Sequence, residues 1–396
     1  MLLGMATQRS ASVFAGLAAD IGRTSMSSIF DSAVGAYDGL VVAGATGLIA
    51  ERTLAGLKSL GIVPLALIDN NRLLWGASVQ GVTVLSPQEG VDRYPHAVFV
   101  VSVFTHSPFR RQLRGFGAER VISYAPLFHK WPNAFLPYFA VDSPDRIVNE
   151  LELVNAASTL WADTASAELY AALIRWFATL DSDAVPDPLA ATETYFPDLI
   201  APYEDEVFVD CGAFDGDTVD AFRRASGNRY KNIVAFEPDP INFANLVVRG
   251  RQWRDFAAVN AAVGQHRGRL AFRASGALSS HATTAGADGV ETAGALVDVD
   301  MISIDDLRPQ PSFVKMDIEG GELQALAGAM SSLSGQNCVF AITLYHRMRD
   351  LWCIPLFIHR HAPGLRLFLR HYAEDWAETV CYAVPAGRVA SSVDLT

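Results

Sequence analysis

Cysteine is scarce in this 396-residue chain: Cys211, Cys338, Cys353 and Cys381 stand far apart with no CxxC pair, which leaves neither a zinc signature nor a disulfide framework. Long apolar runs are missing too. Half of the residues are hydrophobic, yet no run approaches the roughly 18 apolar residues of a membrane-spanning helix. Basic residues are outnumbered, 31 Lys and Arg against 43 Asp and Glu. The formal charge of −12 provides no basic face for phosphates, so no nucleic-acid partner is expected. The stretch Ser12–Ala19 has a weak signal-peptide character, but only Arg9 precedes it and no convincing cleavage site follows. These absences predict a cytoplasmic, reducing setting, and the length suits two domains.

What is present is α/β alternation. After an N-terminal extension (1–35), residues 39–71 read as strand, glycine turn, helix and strand, with Gly44 and Gly47 in the turn and Asp69 at the second strand's end. The turn is GxxG rather than GxGxxG, so it suits either a dinucleotide site or simple helix-on-strand packing. Strands over 96–104 and 118–127, with a helix over 107–117 between them, complete a small Rossmann-like α/β domain at 36–135. A helical connector follows at 136–200, apolar at three- and four-residue spacing over 145–180 and broken by the Pro/Asp cluster 181–190. Its apolar face suits a homodimer contact or a buried contact within the chain equally.

From 201 to 396 strands and helices alternate again. Strands are predicted over 206–210, 232–237, 256–264, 296–304, 312–317 and 338–346, several continuously apolar as central parallel strands are. Residues 365–372 and 379–385 suit an antiparallel pair at the sheet edge, with Arg366 and Arg370 facing solvent. His359 and His361 diverge at a helix end with no third ligand, and read as surface.

The stretch VFVDCGAFDGDT, Val207–Thr218, concentrates the chemistry. Asp210 stands at the carboxyl end of a buried strand, where ligands dock in open α/β folds. Gly212 and Gly216 let the backbone bend close to a ligand, and Asp217 or Thr218 is placed to cap the next helix. The following strand ends in Glu237, 21 positions past Gly216, where an acid accepts both hydroxyls of a ribose. Phe214, Asp215 and Asp217 would crowd and repel a pyrophosphate, whereas an ammonium and a sulfonium tolerate them. S-adenosylmethionine is therefore predicted over NAD. Asp210 is read as the ammonium's partner, or as a turn cap.

With VAFEPDPINFANL, AAVGQHRGRLAF, SIDDL and FVKMDIEGGELQALAGA in this order, residues 206–396 resemble the FkbM-type S-adenosylmethionine-dependent methyltransferases. The KxDxEGxE block, Lys315–Glu322, is the most specific part, and the loop carries DxGxxxGD in place of DxGxGxG. The resemblance implies a class I methyltransferase domain with a Rossmann-like seven-stranded sheet. It also implies O-methylation of a hydroxyl on a sugar, glycan precursor or natural product. It puts Asp210, Gly212, Gly216, Asp217 and Thr218 on the methionine portion, Glu237 on the ribose, and Asn260 to Ala262 near the adenine.

Methyl transfer to an alcohol needs a positioned acceptor and a sink for its proton. Asp317 and Glu319 follow an apolar strand at its ligand end and Glu322 lies one turn on, which suits a carboxylate base, a divalent metal on oxygen ligands, or plain helix capping. His346, after Tyr345 at the end of the next strand, is read as the proton acceptor at neutral pH. Two other classes stay open: an NAD(P)-dependent oxidoreductase working at Gly44 and Asp69 on a nucleotide sugar, and a non-catalytic nucleotide-binding scaffold.

Overall fold

Apolar runs such as LVVA and VFVV are buried on both faces, the pattern of parallel strands covered by helices on either side. In the computed structural model, which describes Phe14 and residues 26–180, 185–201, 205–274, 281–282 and 295–395, such runs build two mixed sheets of an α/β fold, beside a smaller third sheet. The signal-like stretch lies outside the described residues except for Phe14, as does most of the extension 1–35.

The first sheet contains β1 (Leu40–Ala43), β2 (Ala66–Ile68), β3 (Ser78–Val79), β4 (Val82–Leu85), β5 (Val98–Val101) and β6 (Arg120–Ser123), in the order β3-β4-β2-β1-β5-β6. All pairs are parallel except β3 with β4. That hairpin went unnoticed in the sequence. Its turn residues Gln80 and Gly81 both have positive φ, the geometry a two-residue hairpin loop prefers, but Gln-Gly is a weak turn signal. Strand order reverses between β1 and β5, which opens a crevice outside their carboxyl ends.

The second sheet is formed by β7 (Val207–Cys211), β8 (Asn232–Phe236), β9 (Phe256–Val259), β14 (Phe313–Met316), β15 (Val339–Thr343), β16 (Leu365–His371) and β17 (Thr379–Pro385), in the order β16-β17-β15-β14-β7-β8-β9. The antiparallel pair at 365–385 forms, but β17 inserts between β15 and β16, so of this pair β16 alone lies at the sheet edge. Nor is Arg370 free in solvent: its guanidinium lies 2.6 Å from the Asp163 carboxylate. Asp163 caps the helix Thr164–Thr179, whose Ser166 hydroxyl accepts from the Leu369 amide at 2.8 Å. Ala162 N donates to Leu367 O at 2.8 Å. The connector therefore closes the sheet edge.

Among the described residues that connector has three α-helices, Asp145–Asn149, Leu151–Ser158 and Thr164–Thr179, rather than one. Tyr170, Leu173, Ile174, Trp176 and Phe177 of the last are buried within the chain. The expected strand 256–264 splits into β9 and β10 (Ala262–Val263). The expected strand 296–304 leaves the main sheet altogether and becomes β13 (Ala295–Ile302), pairing with β10 and β11 (Gly268–Ala274) in a four-stranded side sheet that includes β12 (His281–Ala282). Asp298 and Asp300 alternate with apolar residues and give β13 one wet face, which a buried central strand does not tolerate. Among the described residues no helix is long and apolar enough to cross a membrane.

Candidate active site

Order in the second sheet reverses between β7 and β14, and the loops leaving these strands touch. Gly212 has φ +80°, and a Cβ there would lie 1.9 Å from the Asp317 carbonyl oxygen. Gly216 has φ +92°, and its Cβ would meet the Trp253 ring at 2.5 Å. Gly216 itself is the N-cap of the helix Asp217–Ala225, which has no side-chain cap; the capping expected of Asp217 or Thr218 does not occur. Asp217 instead bonds the Thr218 amide at 2.7 Å, its charge near the helix's positive end.

Strand register places Lys315 opposite Asp210. The wholly buried Asp210 carboxylate lies 3.2 Å from Lys315 Nζ, and Lys315 also donates to Gly212 O at 2.7 Å. Burial pushes the Asp210 carboxyl up to about 6 in spite of that ammonium. The reading of Asp210 as partner of a ligand's ammonium is thereby corrected: its cation is Lys315, and it stands behind the glycine loop rather than on the cavity wall.

Glu237, 5% exposed, accepts from Phe214 N at 2.8 Å through one oxygen and from Asp239 N at 2.9 Å through the other. Each oxygen keeps a lone pair for a further donor. Burial raises this carboxyl to about 7 against those two bonds. Asn260 donates to Glu237 O at 2.8 Å and Pro238 O at 3.1 Å, so it braces the turn and does not line the cavity; Ala262 does, with Leu270, Phe272 and Met301 of the side sheet.

Beyond β14 lies a cluster of acids. Asp317 accepts from Tyr195 at 2.7 Å and from Tyr345 at 3.2 Å. His346 is buried, with Nδ1 2.9 Å from Glu322, and Nε2 3.3 Å from Asp317 and 3.7 Å from Glu319. Burial alone would lower its pKa, but Glu322, Glu319 and Asp317 outweigh it and push the ring up to about 10. That shift favours the imidazolium at neutral pH and weighs against His346 as the proton acceptor its position suggested. Burial raises half-buried Glu319 to about 8, against the pull of His346 and with the repulsion of Asp317 behind it. Glu378, from the loop between β16 and β17, is raised to about 7 by burial and then by Asp317. Glu322 stays ionised: burial opposes its charge, but His346 and the loop amides hold its pKa down.

A single cavity of about 1260 Å³ joins these parts. Gly212, Asp217, Thr218, Glu237, Asp317 and Glu319 line it; Gly216 and His346 stand behind it. Five of the eleven described non-glycine residues with positive φ face it, namely Phe139, Tyr195, Phe214, Glu319 and Glu378, and backbone strain of this kind concentrates at ligand sites. Tyr195, Glu378, Lys315 as loop anchor, and Phe104 and Phe139 from the first half escaped the sequence reading. Only Lys315 carried a signal, a lone charge inside the apolar strand FVKM. Among the described residues no group of three or more His, Cys, Asp or Glu is arranged to hold a metal ion.

The N-terminal glycine turn is self-contained. Asp69 accepts from Ala45 N and Asn71 N, both at 2.8 Å, and a Cβ on Gly44 would lie 2.8 Å from Val103. The glycine packs the turn against the next loop and the acid ties it down, so a nicotinamide site there is not favoured.

A strand-to-helix loop that admits no Cβ, an acid with lone pairs to spare at the end of the neighbouring strand, and room for both a cofactor and an acceptor fit S-adenosylmethionine, and they define a methyltransferase that depends on it. Residues 210–373 match the family model of the methyltransferase FkbM domain. A methyltransferase FkbM from Methylobacillus flagellatus KT, known from its crystal structure, shares the fold: the TM-score is 0.75 at 20% identity, over 95% of this chain and 100% of that one. An rRNA methylase from Streptococcus thermophilus aligns over 47% of this chain and 90% of its own, with 8% identity and a TM-score of 0.29. Aeropyrum pernix fibrillarin with bound S-adenosyl-L-methionine aligns over 49% and 72%, with 11% identity and a TM-score of 0.30. Overlaps that low add nothing to the fold assignment. No curated protein matches the sequence.

Proposed function

We propose that the protein is an O-methyltransferase acting on a hydroxyl of a sugar, glycan precursor or natural product, with residues 201–396 as the methyltransferase domain, 36–135 as a Rossmann-like domain and 136–200 as their connector. The observation that carries this reading is the placement of Glu319, Asp317 and Glu378 on the wall of the cavity that also holds the Gly212 loop and Glu237. Bound S-adenosylmethionine supplies a methyl group already activated by its sulfonium. Gly212, Asp217 and Thr218 border its methionine end, with Gly216 shaping the turn behind them and Asp210 fixing that loop through Lys315; Glu237 takes the ribose hydroxyls, and Ala262 borders the adenine.

Glu319 would take up the proton of the acceptor hydroxyl as that oxygen received the methyl group, and its carboxyl, raised to about 8, suits a base working at mildly alkaline pH. Asp317, held by two phenols, orients the acceptor. His346 is a positioning residue whose charge keeps Asp317, Glu319 and Glu322 together. Calorimetric titration and thermal shift with S-adenosylmethionine, S-adenosylhomocysteine and NAD test the reading. A ligand at 100 times its dissociation constant stabilises by about 2.7 kcal/mol. The two sulfur ligands are expected to do so in the wild type and not in Glu237→Ala; stabilisation by NAD alone would overturn the proposal.

A further inference from the structure

The cavity is walled from both halves of the chain. Phe104 and Thr105, on the loop leaving β5 at the reversal point of the first sheet, line it together with Leu48 and Phe139. Phe104 is 38% exposed, an unusual state for a phenylalanine with aromatic neighbours on two sides: its ring centroid is 6.2 Å from Phe139 and 6.2 Å from Trp376. Trp376 is buried and reaches Tyr345 at 6.4 Å, and Tyr345 bonds Asp317. An apolar aromatic wall therefore stands next to the carboxylates.

This wall is held in place. His106 Nε2 is 2.7 Å from the Asp375 carboxylate, and Ser107 N donates to Glu374 at 2.8 Å. These contacts clamp the Phe104 loop to the short segment that carries both Trp376 and Glu378. The second half supplies the carboxylates, and the first half supplies a face for whatever they act on.

Two features restrict the occupant. Asp317 repels an anionic group at this end of the cavity, and Asp317, Glu319 and Glu378 together offer hydrogen-bond partners to hydroxyls. Flat rings next to them take a ring with an apolar face. We infer that Phe104, backed by Phe139 and Trp376, is the specificity-determining contact for the acceptor, receiving the apolar face of a neutral sugar ring whose hydroxyl edge meets the carboxylates. The inference deepens the proposed function and rests on its sugar-hydroxyl reading; it adds that the N-terminal half selects the acceptor.

The test uses the full chain saturated with S-adenosylhomocysteine and three probes, the methyl glycosides of glucose, mannose and rhamnose, followed by saturation-transfer NMR. At least one probe is expected to show saturated ring protons with the wild type. Phe104→Ala should weaken its binding about tenfold, the scale of one lost aromatic contact, and Phe104→Trp should restore it. Homocysteine-ligand affinity, read by calorimetry, should stay within twofold in all three proteins, since Phe104 lies on the far half. Equal probe binding by wild type and Phe104→Ala overturns the inference. So does the absence of any probe signal in protein that binds S-adenosylhomocysteine. A wild type that does not bind S-adenosylhomocysteine fails at the earlier step and removes the cofactor reading together with the inference built on it.

Discussion

Replacing His346 by glutamine removes one positive charge from among three carboxylates at 2.9, 3.3 and 3.7 Å. The rise from 6.5 to about 10 corresponds to roughly 5 kcal/mol of preference for the charged ring. Part of this is recovered in the variant when the acids take up protons, so the expected loss at neutral pH is about 3–5 kcal/mol, the usual cost of leaving a buried charge unpaired. On the melting temperature that is on the order of 5–10 °C. Its pH dependence is the sharper test. The folded pKa lies above the unfolded value, so the ring's contribution is complete below about 6.5 and is lost as pH rises toward 10. Thermal unfolding of wild type and His346→Gln should therefore differ most at and below about pH 6.5, with the gap narrowing steadily above it and closing by pH 10. A gap that stays constant over this range would refute the argument that the carboxylates hold the ring charged.

Glu319→Gln should lower kcat by 10²–10⁴-fold, the usual contribution of a general base, while S-adenosylhomocysteine affinity measured by calorimetry is unchanged. In the wild type, kcat/KM should rise with pH through about 8, and His346→Gln should move that limb upward because a cation that lowers the Glu319 pKa is gone. Gly212→Ala forces a side chain into φ +80° and to 1.9 Å from the Asp317 carbonyl. The two loops must part by more than 1 Å, which at a reacting centre costs about 10²-fold in rate. Unchanged kcat and melting temperature in that variant would show the two loops to be less tightly apposed.

How much of this was legible beforehand follows from where each residue sits. Asp210, Glu237 and Asp317 end or directly follow strands that are continuous apolar runs, and such runs can be read locally; their place at the ligand edge follows from the parallel topology. The partnership of Asp210 with Lys315 depends on β7 lying beside β14 in one particular register, which no local pattern encodes. Likewise the charge on His346 is set by three acids whose approach is a product of folding. Tyr195, Glu378 and Phe104 come from loops without periodicity, where tertiary packing alone decides which way a side chain faces. The side sheet was misread because short strands were expected to join the nearest parallel sheet, while the polar face of β13 spoke against it.

The closing of β16 by the helix Thr164–Thr179 has a practical meaning for anyone who wishes to study the methyltransferase half by itself. A fragment beginning at residue 201 would keep all seven strands yet strip the cover from one margin, leaving the outer backbone groups of Leu367 and Leu369 without Ala162 and Ser166 as partners. An uncovered, largely apolar margin of this kind invites a second molecule to add its own strand. The family match thus begins at 210, but any cut that keeps the cover of β16 must fall before residue 161, ahead of the connector's last helix.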